Sequence, residues 1–272
     1  MTGQLAPIRM TTGTLMPRVG LGVFRATPRE TISAVSAALA AGYRHIDTAQ
    51  VYGNEAAVGQ AIRTSGLDRA EVFVTTKVAP ANMAPDRVRP SIAASVEALG
   101  FIPDLVLLHW PQPTHRRSAW HVLEGLHLDG RLPAIGVSNF MERHLRELLS
   151  DARVVPAVNQ IELSPFLQQR QVRATCAAAG IAVAAYSPLT KGRRLDHPVL
   201  ARLAMRHGAS PAQVLLAWGL QTGAAVLPKS VRPERIAENI ALDSVHLDEG
   251  DLAALDALEE NFVTGWNPQT VE

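Results

Sequence analysis

The chain has 272 residues, of which 47% are hydrophobic and 19% are charged, and its formal net charge is +1. This is an ordinary globular composition, and a near-neutral charge without basic clusters argues against binding to nucleic acid. No run of about 20 apolar residues occurs, so we expect no membrane span. The first residues lack the pattern of a secretory signal, and we therefore predict a cytoplasmic protein. No coiled-coil pattern is evident, and we expect a monomer.

The single cysteine, Cys176, excludes an intramolecular disulfide and a metal site built from several cysteines. It lies in an alanine-rich helical run, which predicts a small buried hydrophobic side chain. No helical pair of histidines is present, so the sequence predicts no metal site.

The chain opens with a predicted β-hairpin over residues 8–16, whose turn lies at Thr12-Gly13. A first buried strand follows near residues 19–23. The next segment predicts a helix, because Thr27 and Glu30 have the spacing of a capping box and Gly42 is a typical helix end.

From there, short apolar runs alternate with helical patterns. Further strands are predicted at 45–47, 72–76, 105–108, 134–137, 155–158, 181–185 and 224–227. Further helices are predicted at 54–64, 85–99, 118–128, 142–149, 168–179, 198–206, 211–220 and 233–240, with a last one beginning at Asp248.

Eight strands that alternate with helices in about 250 residues predict a (β/α)8 barrel. We expect one domain over residues 1–272, with the N-terminal hairpin and with extra helices after the seventh barrel strand and at the C-terminus. An open, doubly wound sheet is the alternative fold.

Polar or aromatic residues follow most of the predicted strands. They are Asp47, Lys77, His109, Ser138, Asn139, Gln160, Tyr186, Lys229 and Ser230. Because the carboxyl ends of barrel strands meet at one face, we expect these side chains to converge on a single pocket.

Four residues near this predicted pocket suit proton transfer. Tyr52 follows Asp47 by five residues, and a phenol has an ordinary pKa of about 10. A nearby Lys77 ammonium would lower that pKa, and Asp47 would keep the ammonium charged. His109 would hydrogen-bond an incoming oxygen. This set suits a carbonyl that accepts a hydride and then a proton, which predicts a nicotinamide cofactor.

Several motifs carry a resemblance to a known family. They are GYRHIDTAQVYGNEAAVG at 42–59, LHWP at 108–111, GVSNF at 136–140, NQ at 159–160, YSPL at 186–189 and PKS at 228–230. With them, nearly the whole chain resembles the aldo-keto reductase family. It is most similar to the short bacterial members, such as the 2,5-diketo-D-gluconate reductases.

The resemblance implies a barrel enzyme that reduces an aldehyde or ketone with NADPH; a dicarbonyl or a keto sugar acid is one expected substrate. It implies a catalytic tetrad with Tyr52 as the proton donor, and the tetrad consists of Asp47, Tyr52, Lys77 and His109. The implied contacts to the nicotinamide are Ser138, Asn139, Gln160 and Tyr186. The implied contacts to the pyrophosphate are Ser187 and Leu189. The implied contacts to the 2′-phosphate and the adenine are Lys229, Ser230, Arg235, Glu238 and Asn239.

The sequence departs from the family pattern after Leu189, where Thr190-Lys191 stands in place of the usual glycine. This departure affects the expected loop over the cofactor. Phe24, Trp110 and Trp266 are candidates for the apolar walls of the substrate pocket, although each could instead belong to ordinary packing.

Other interpretations of the same residues remain open. Asp47 and Lys77 could form a structural ion pair, and Lys77 could be the Schiff-base lysine of an aldolase. The family-like site could also belong to a nucleotide-sensing module with slow turnover. A dinucleotide fingerprint at 20–25 is weak, because its third glycine is missing.

Overall fold

The N-terminal hairpin leads into a barrel of parallel strands in the computed structural model, which describes residues 5–272. In the hairpin, β1 (Ile8–Arg9) pairs antiparallel with β2 (Leu15–Met16). The barrel strands are β3 (Leu21–Gly22), β4 (His45–Asp47), β5 (Phe73–Val78), β6 (Leu105–Leu108), β7 (Ile135–Ser138), β8 (Val158–Glu162), β9 (Ala182–Tyr186) and β10 (Ala225–Leu227).

Each barrel strand is hydrogen-bonded to the next one in chain order, from β3 to β10. The ring is completed by parallel bridges from Val19 to Val226 and from Gly22 to Lys229. The predicted (β/α)8 barrel with its hairpin is therefore confirmed, and the open sheet is excluded.

Ten α-helices surround the strands in residues 5–272. They are α1 (Pro28–Ala40), α2 (Glu55–Arg63), α3 (Pro85–Leu99), α4 (Arg116–Leu128), α5 (Glu142–Leu149), α6 (Arg170–Ala178), α7 (Pro198–His207), α8 (Pro211–Gln221), α9 (Pro233–Ile240) and α10 (Glu249–Asp256). The additional helices lie after β9 and near the C-terminus, as predicted. No helix in residues 5–272 is long and apolar enough to cross a bilayer.

Local sequence explains where the first of these helices begins. Thr27 accepts a hydrogen bond from the Glu30 main-chain N–H at 3.3 Å, and the Glu30 carboxylate accepts one from the Thr27 N–H at 2.8 Å. Both partners of the capping box are therefore present, which satisfies main-chain donors that the helix itself leaves free.

Two apolar clusters determine which end of the barrel is open. The larger one fills the layer between the strands and the helices, and Cys176 lies in it, fully buried as predicted. The smaller one includes Met10 and Met16 of the hairpin region together with barrel residues such as Phe73 and Leu105, which begin β5 and β6. Because the hairpin closes this end, the carboxyl end remains for a site.

One predicted strand was misplaced. The expected strand at 155–158 is instead β8, which begins at Val158, and Val155 is exposed. Gln160 therefore lies within a strand, paired with Ser138 of β7. The apolar pattern failed here because Gln160 faces a buried carboxylate rather than an apolar core.

Candidate active site

A buried ion pair joins the ends of two adjacent strands. Lys77, on β5, is fully buried, and its Nζ donates to Asp47 Oδ1 at 2.6 Å and to the Thr48 carbonyl at 2.9 Å. Asp47 is the last residue of β4. Burial lowers the pKa of Lys77, and the Asp47 carboxylate opposes that effect.

The phenol of Tyr52 lies beside this ion pair. Its hydroxyl is 3.4 Å from Lys77 Nζ, and the ammonium is 5.1 Å from the centre of the ring. Tyr52 ends a single 3₁₀ turn that starts at Gln50. The Gln50 amide fixes this turn, because it accepts from the Ala79 N–H at 2.8 Å and donates to the Ser91 carbonyl at 3.1 Å.

His109 completes the group directly after β6. Its ring is 5.8 Å from that of Tyr52, with an angle of 79° between the two planes. Its Nδ1 is buried without a hydrogen-bond partner among residues 5–272. Burial, and then the charge of Lys77, lowers the pKa of His109 to about 3, so the imidazole is neutral near pH 7.

The pKa of Tyr52 differs in direction from the sequence-based expectation. Burial raises it well above its ordinary value, and the Asp47 carboxylate raises it further. The expected lowering of this pKa by Lys77 does not prevail, because burial of the phenol, and then the Asp47 charge, act in the opposite direction. The phenol therefore holds its proton firmly in the free protein.

Predicted nicotinamide contacts form a hydrogen-bonded set next to the ion pair. Gln160 donates to Asp47 Oδ2 at 2.6 Å, which gives the second carboxylate oxygen a partner. Tyr186 donates its hydroxyl to Asn139 Oδ1 at 2.8 Å, and Asn139 donates to Ser138 Oγ at 3.0 Å. These side chains thus surround one location, as expected from their positions at strand ends.

Residues predicted to bind phosphate lie on two neighbouring loops. Ser187 follows β9 with a left-handed backbone, and Leu189 lies in the same turn. Lys229 follows β10, while Arg235 is exposed on α9; neither forms a salt bridge with another residue in 5–272. The first turn of α9 has no side-chain cap, so the two N–H groups that follow its first proline are not bonded within the helix.

The remaining predicted residues of this region differ in exposure. Ser230 Oγ accepts from the Arg232 N–H at 3.0 Å, just before α9. On α9 itself, Asn239 is buried and Glu238 is half-buried. Lys229 and Arg235 are therefore the more accessible groups for an anion.

The predicted wall residues surround the tetrad in part. Phe24 packs on Tyr52 with ring centres 5.0 Å apart. Trp110, which follows His109, contacts Trp266 edge to face with ring centres 5.8 Å apart. Trp266 itself is 79% exposed. Aromatic side chains thus extend from the phenol toward solvent.

One residue that shapes the site was assigned only as the start of a helix. The Asn54 side chain makes no cap bond to α2. It is buried, accepts from Thr48 Oγ1 at 2.8 Å and donates to the Val23 carbonyl at 3.0 Å. Asn54 therefore joins the loops on both sides of Tyr52, and an asparagine before a helix gives no sign of this.

We expect His109 to make the folded state sensitive to acid. Its folded pKa of about 3 lies below the ordinary value of 6.5, so between these values the unfolded chain binds a proton that the folded chain does not. The contribution of His109 to the free energy of unfolding is complete above pH 6.5. It is lost as pH falls toward 3, by at most ~1.4 kcal/mol per pH unit. Urea unfolding at several pH values should show a smaller acid loss in His109→Gln. An identical loss in both proteins would contradict the buried neutral imidazole.

Comparisons with known proteins identify the family of this chain. The model of the Aldo/keto reductase family matches residues 18–260. An aldo-keto reductase of Mycobacterium sp. (strain KMS) is 44% identical over 266 residues, covering 97% of this chain and 96% of the relative. A glyoxal reductase of Bacillus subtilis (strain 168) is 41% identical over 263 residues, covering 96% and 95%.

A solved structure is similar over the same extent. The crystal structure of an aldo/keto reductase from Brucella melitensis superposes with a TM-score of 0.91 at 40% identity, covering 94% of this chain and all of the other. Family match, sequence identity and shared barrel lead to one conclusion: this chain belongs to the aldo/keto reductase family.

Proposed function

We propose that the protein reduces an aldehyde or ketone to the alcohol, with NADPH as the hydride donor and Tyr52 as the proton donor. The observation that carries the proposal is the contact of one buried ammonium, Lys77, with both the Asp47 carboxylate and the Tyr52 hydroxyl. Family membership supports chemistry between a carbonyl and an alcohol. Monomeric action in the cytoplasm is part of the same proposal.

NADPH, when bound, would supply a hydride to the carbonyl carbon, and the electron pair of the C=O bond would move to oxygen. Tyr52 donates its proton to that oxygen, because an alkoxide is a stronger base than a phenolate. The Lys77 ammonium stabilises the phenolate that remains. The raised pKa keeps the phenol protonated until the alkoxide forms.

The neutral His109 would orient the substrate in this scheme. It lies against the Tyr52 ring, and its Nδ1 has no hydrogen-bond partner among residues 5–272. A neutral imidazole donates one hydrogen bond and adds no charge that would compete with Lys77. We therefore assign it to holding the carbonyl oxygen near the Tyr52 hydroxyl.

The residues present are compatible with a nicotinamide cofactor. Ser138, Asn139 and Gln160 offer amide and hydroxyl groups for the carboxamide, and the half-buried Tyr186 offers a ring for stacking. On the other side, Lys229, Ser230 and the uncapped start of α9 suit a phosphate. In this proposal Ser187 and Leu189 contact the pyrophosphate.

We expect Lys229→Ala and Arg235→Ala each to weaken NADPH binding by roughly 10- to 100-fold, since each removes a charge-assisted contact to the 2′-phosphate. NADH lacks that phosphate, so its affinity should change little. Fluorescence titration with both cofactors measures the effect, and Arg202→Ala, an exposed arginine on α7, is the control. Equal losses for NADPH and NADH would contradict the assignment.

Consumption of NADPH with a panel of carbonyl compounds tests the function. The panel includes glyoxal and other dicarbonyls, keto sugar acids and aromatic aldehydes. Oxidation of NADPH with at least one of them is expected. If NADPH binds but none of the compounds is reduced, the nucleotide-sensing alternative is favoured instead.

A further inference from the structure

The loop after β9 is attached to the C-terminal segment at two points. Lys191 Nζ donates to the Thr264 carbonyl at 2.8 Å. Arg194 donates to the Glu260 carboxylate at 2.7 Å, and its guanidinium lies 3.8 Å from the centre of the Phe262 ring. The loop that departs from the family pattern at Lys191 therefore holds the chain segment that leads to Trp266.

Glu162 also holds this C-terminal segment, through hydrogen bonds from Thr264. It ends β8, is buried, and accepts from the Thr264 N–H at 2.9 Å and from the Thr264 hydroxyl with the same oxygen, Oε1. Its other oxygen, Oε2, is buried without a hydrogen-bond partner among residues 5–272. Burying such a group is costly unless a cation lies nearby.

Lys191 places a positive charge near this oxygen, without a direct salt bridge to it. A Cβ built on Gly265 would lie 3.6 Å from Lys191 Nζ and 3.9 Å from Glu162 Oε2, so the ammonium and the carboxylate stand on the same side of this glycine. The attraction of Glu162 also raises the pKa of Lys191 against the larger lowering that burial causes. We call Glu162, Lys191 and Thr264 the tail clamp.

Thr264 of the tail clamp lies two residues before Trp266 in the chain. Beyond Trp266 the chain is anchored again, where Arg116 donates to the Glu272 carbonyl at 2.5 Å and His144 Nε2 lies 3.0 Å from the Val271 carbonyl. Trp266 is thus an exposed side chain held between two fixed points. Its ring meets Trp110, which follows His109 at the mouth of the site.

We propose that Glu162 and Lys191 are positioning residues that fix Trp266 and thereby set which carbonyl substrates fit. The selectivity part of this inference rests on the proposed function; the positioning part does not. When the clamp is broken, the segment around Trp266 opens more often, and the aromatic wall that Trp266 forms with Trp110 is lost. Bulky substrates then lose contacts that small ones never make.

Chymotrypsin tests the positioning part without any catalysis. It cleaves after exposed aromatic residues in locally opened chain, and intact mass spectrometry detects the loss of residues 267–272 after a cut at Trp266. Lys191→Met and Glu162→Gln should each speed this cut by about tenfold or more, because a charged contact holds the segment closed. Lys191→Arg, which keeps a donor, should remain close to wild type. Glu97→Gln, an exposed glutamate on α3, is the matched control.

Kinetics with two carbonyls test the selectivity part. In Lys191→Met we expect KM for a bulky aromatic aldehyde to rise about tenfold, while turnover of glyoxal stays nearly unchanged. Unchanged cleavage in both clamp variants would overturn the positioning role. Faster cleavage with unchanged KM values would overturn the role in selectivity. If the wild-type protein reduced no carbonyl, the proposed function and the selectivity part would fall, and the protease result would still decide the positioning part.

Discussion

Replacing Tyr52 by phenylalanine is expected to lower turnover by roughly 10²–10⁴-fold at saturating NADPH, since the variant loses the group that gives a proton to the forming alkoxide. The ring itself is kept, so the contacts with Phe24 and His109 remain. Binding of NADPH should be preserved for the same reason. Steady-state kinetics together with a cofactor titration measure both quantities.

The matched control for this variant is Tyr43→Phe. Tyr43 is fully buried and donates its hydroxyl to the Ile236 carbonyl at 3.1 Å, away from the tetrad. Loss of this hydrogen bond should lower the free energy of unfolding by about 1 kcal/mol and leave turnover nearly unchanged. If the turnover rate of Tyr52→Phe equalled that of Tyr43→Phe, the Tyr52 phenol would not be the proton donor.

Replacing Lys77 by methionine should reduce both activity and stability. The variant leaves the Asp47 carboxylate buried, with Gln160 as its remaining side-chain donor. Removal of one partner from a buried ion pair typically costs about 3–5 kcal/mol. Urea unfolding measures this loss, and turnover should fall at the same time because the phenolate loses its stabilising charge.

A double variant separates catalysis from structure. In Asp47→Leu/Lys77→Met the unpaired charge is gone, so part of the lost stability should return, while activity should not. If activity returned together with stability, the ion pair would be merely structural, which is the alternative that the sequence left open. If Lys77→Met were as stable as wild type, the buried Asp47 carboxylate would not need the Lys77 ammonium for stability.

The sequence predicts the barrel and the proximity of Asp47, Tyr52 and Lys77 for a physical reason. Asp47, Lys77 and His109 lie at or directly after the ends of short apolar strands, and parallel strands bring their carboxyl ends together. Lys77 and Asp47 thus meet across the β4–β5 pair although they are 30 residues apart. The periodic pattern also gave the bounds of α3, α5 and α9 without error.

Other features follow from contacts that no local pattern encodes. The direction of the Tyr52 pKa shift depends first on how deeply the phenol is buried and then on its distance from Asp47, and only the three-dimensional arrangement determines both. The tail clamp joins Glu162 to Thr264, 102 residues further along the chain. Its one trace in the sequence was the departure from the family pattern at Thr190-Lys191.

Transfer of deuterium from NADPH that carries deuterium at both hydrogens of its reactive nicotinamide carbon tests the central claim most directly. With wild-type protein and a reducible carbonyl such as glyoxal, mass spectrometry of the product should find one deuterium on the former carbonyl carbon. Product formation should be strongly slowed in Tyr52→Phe. A product without deuterium, or equally fast formation in Tyr52→Phe, would contradict a reductase in which Asp47, Lys77 and Tyr52 act on one carbonyl oxygen.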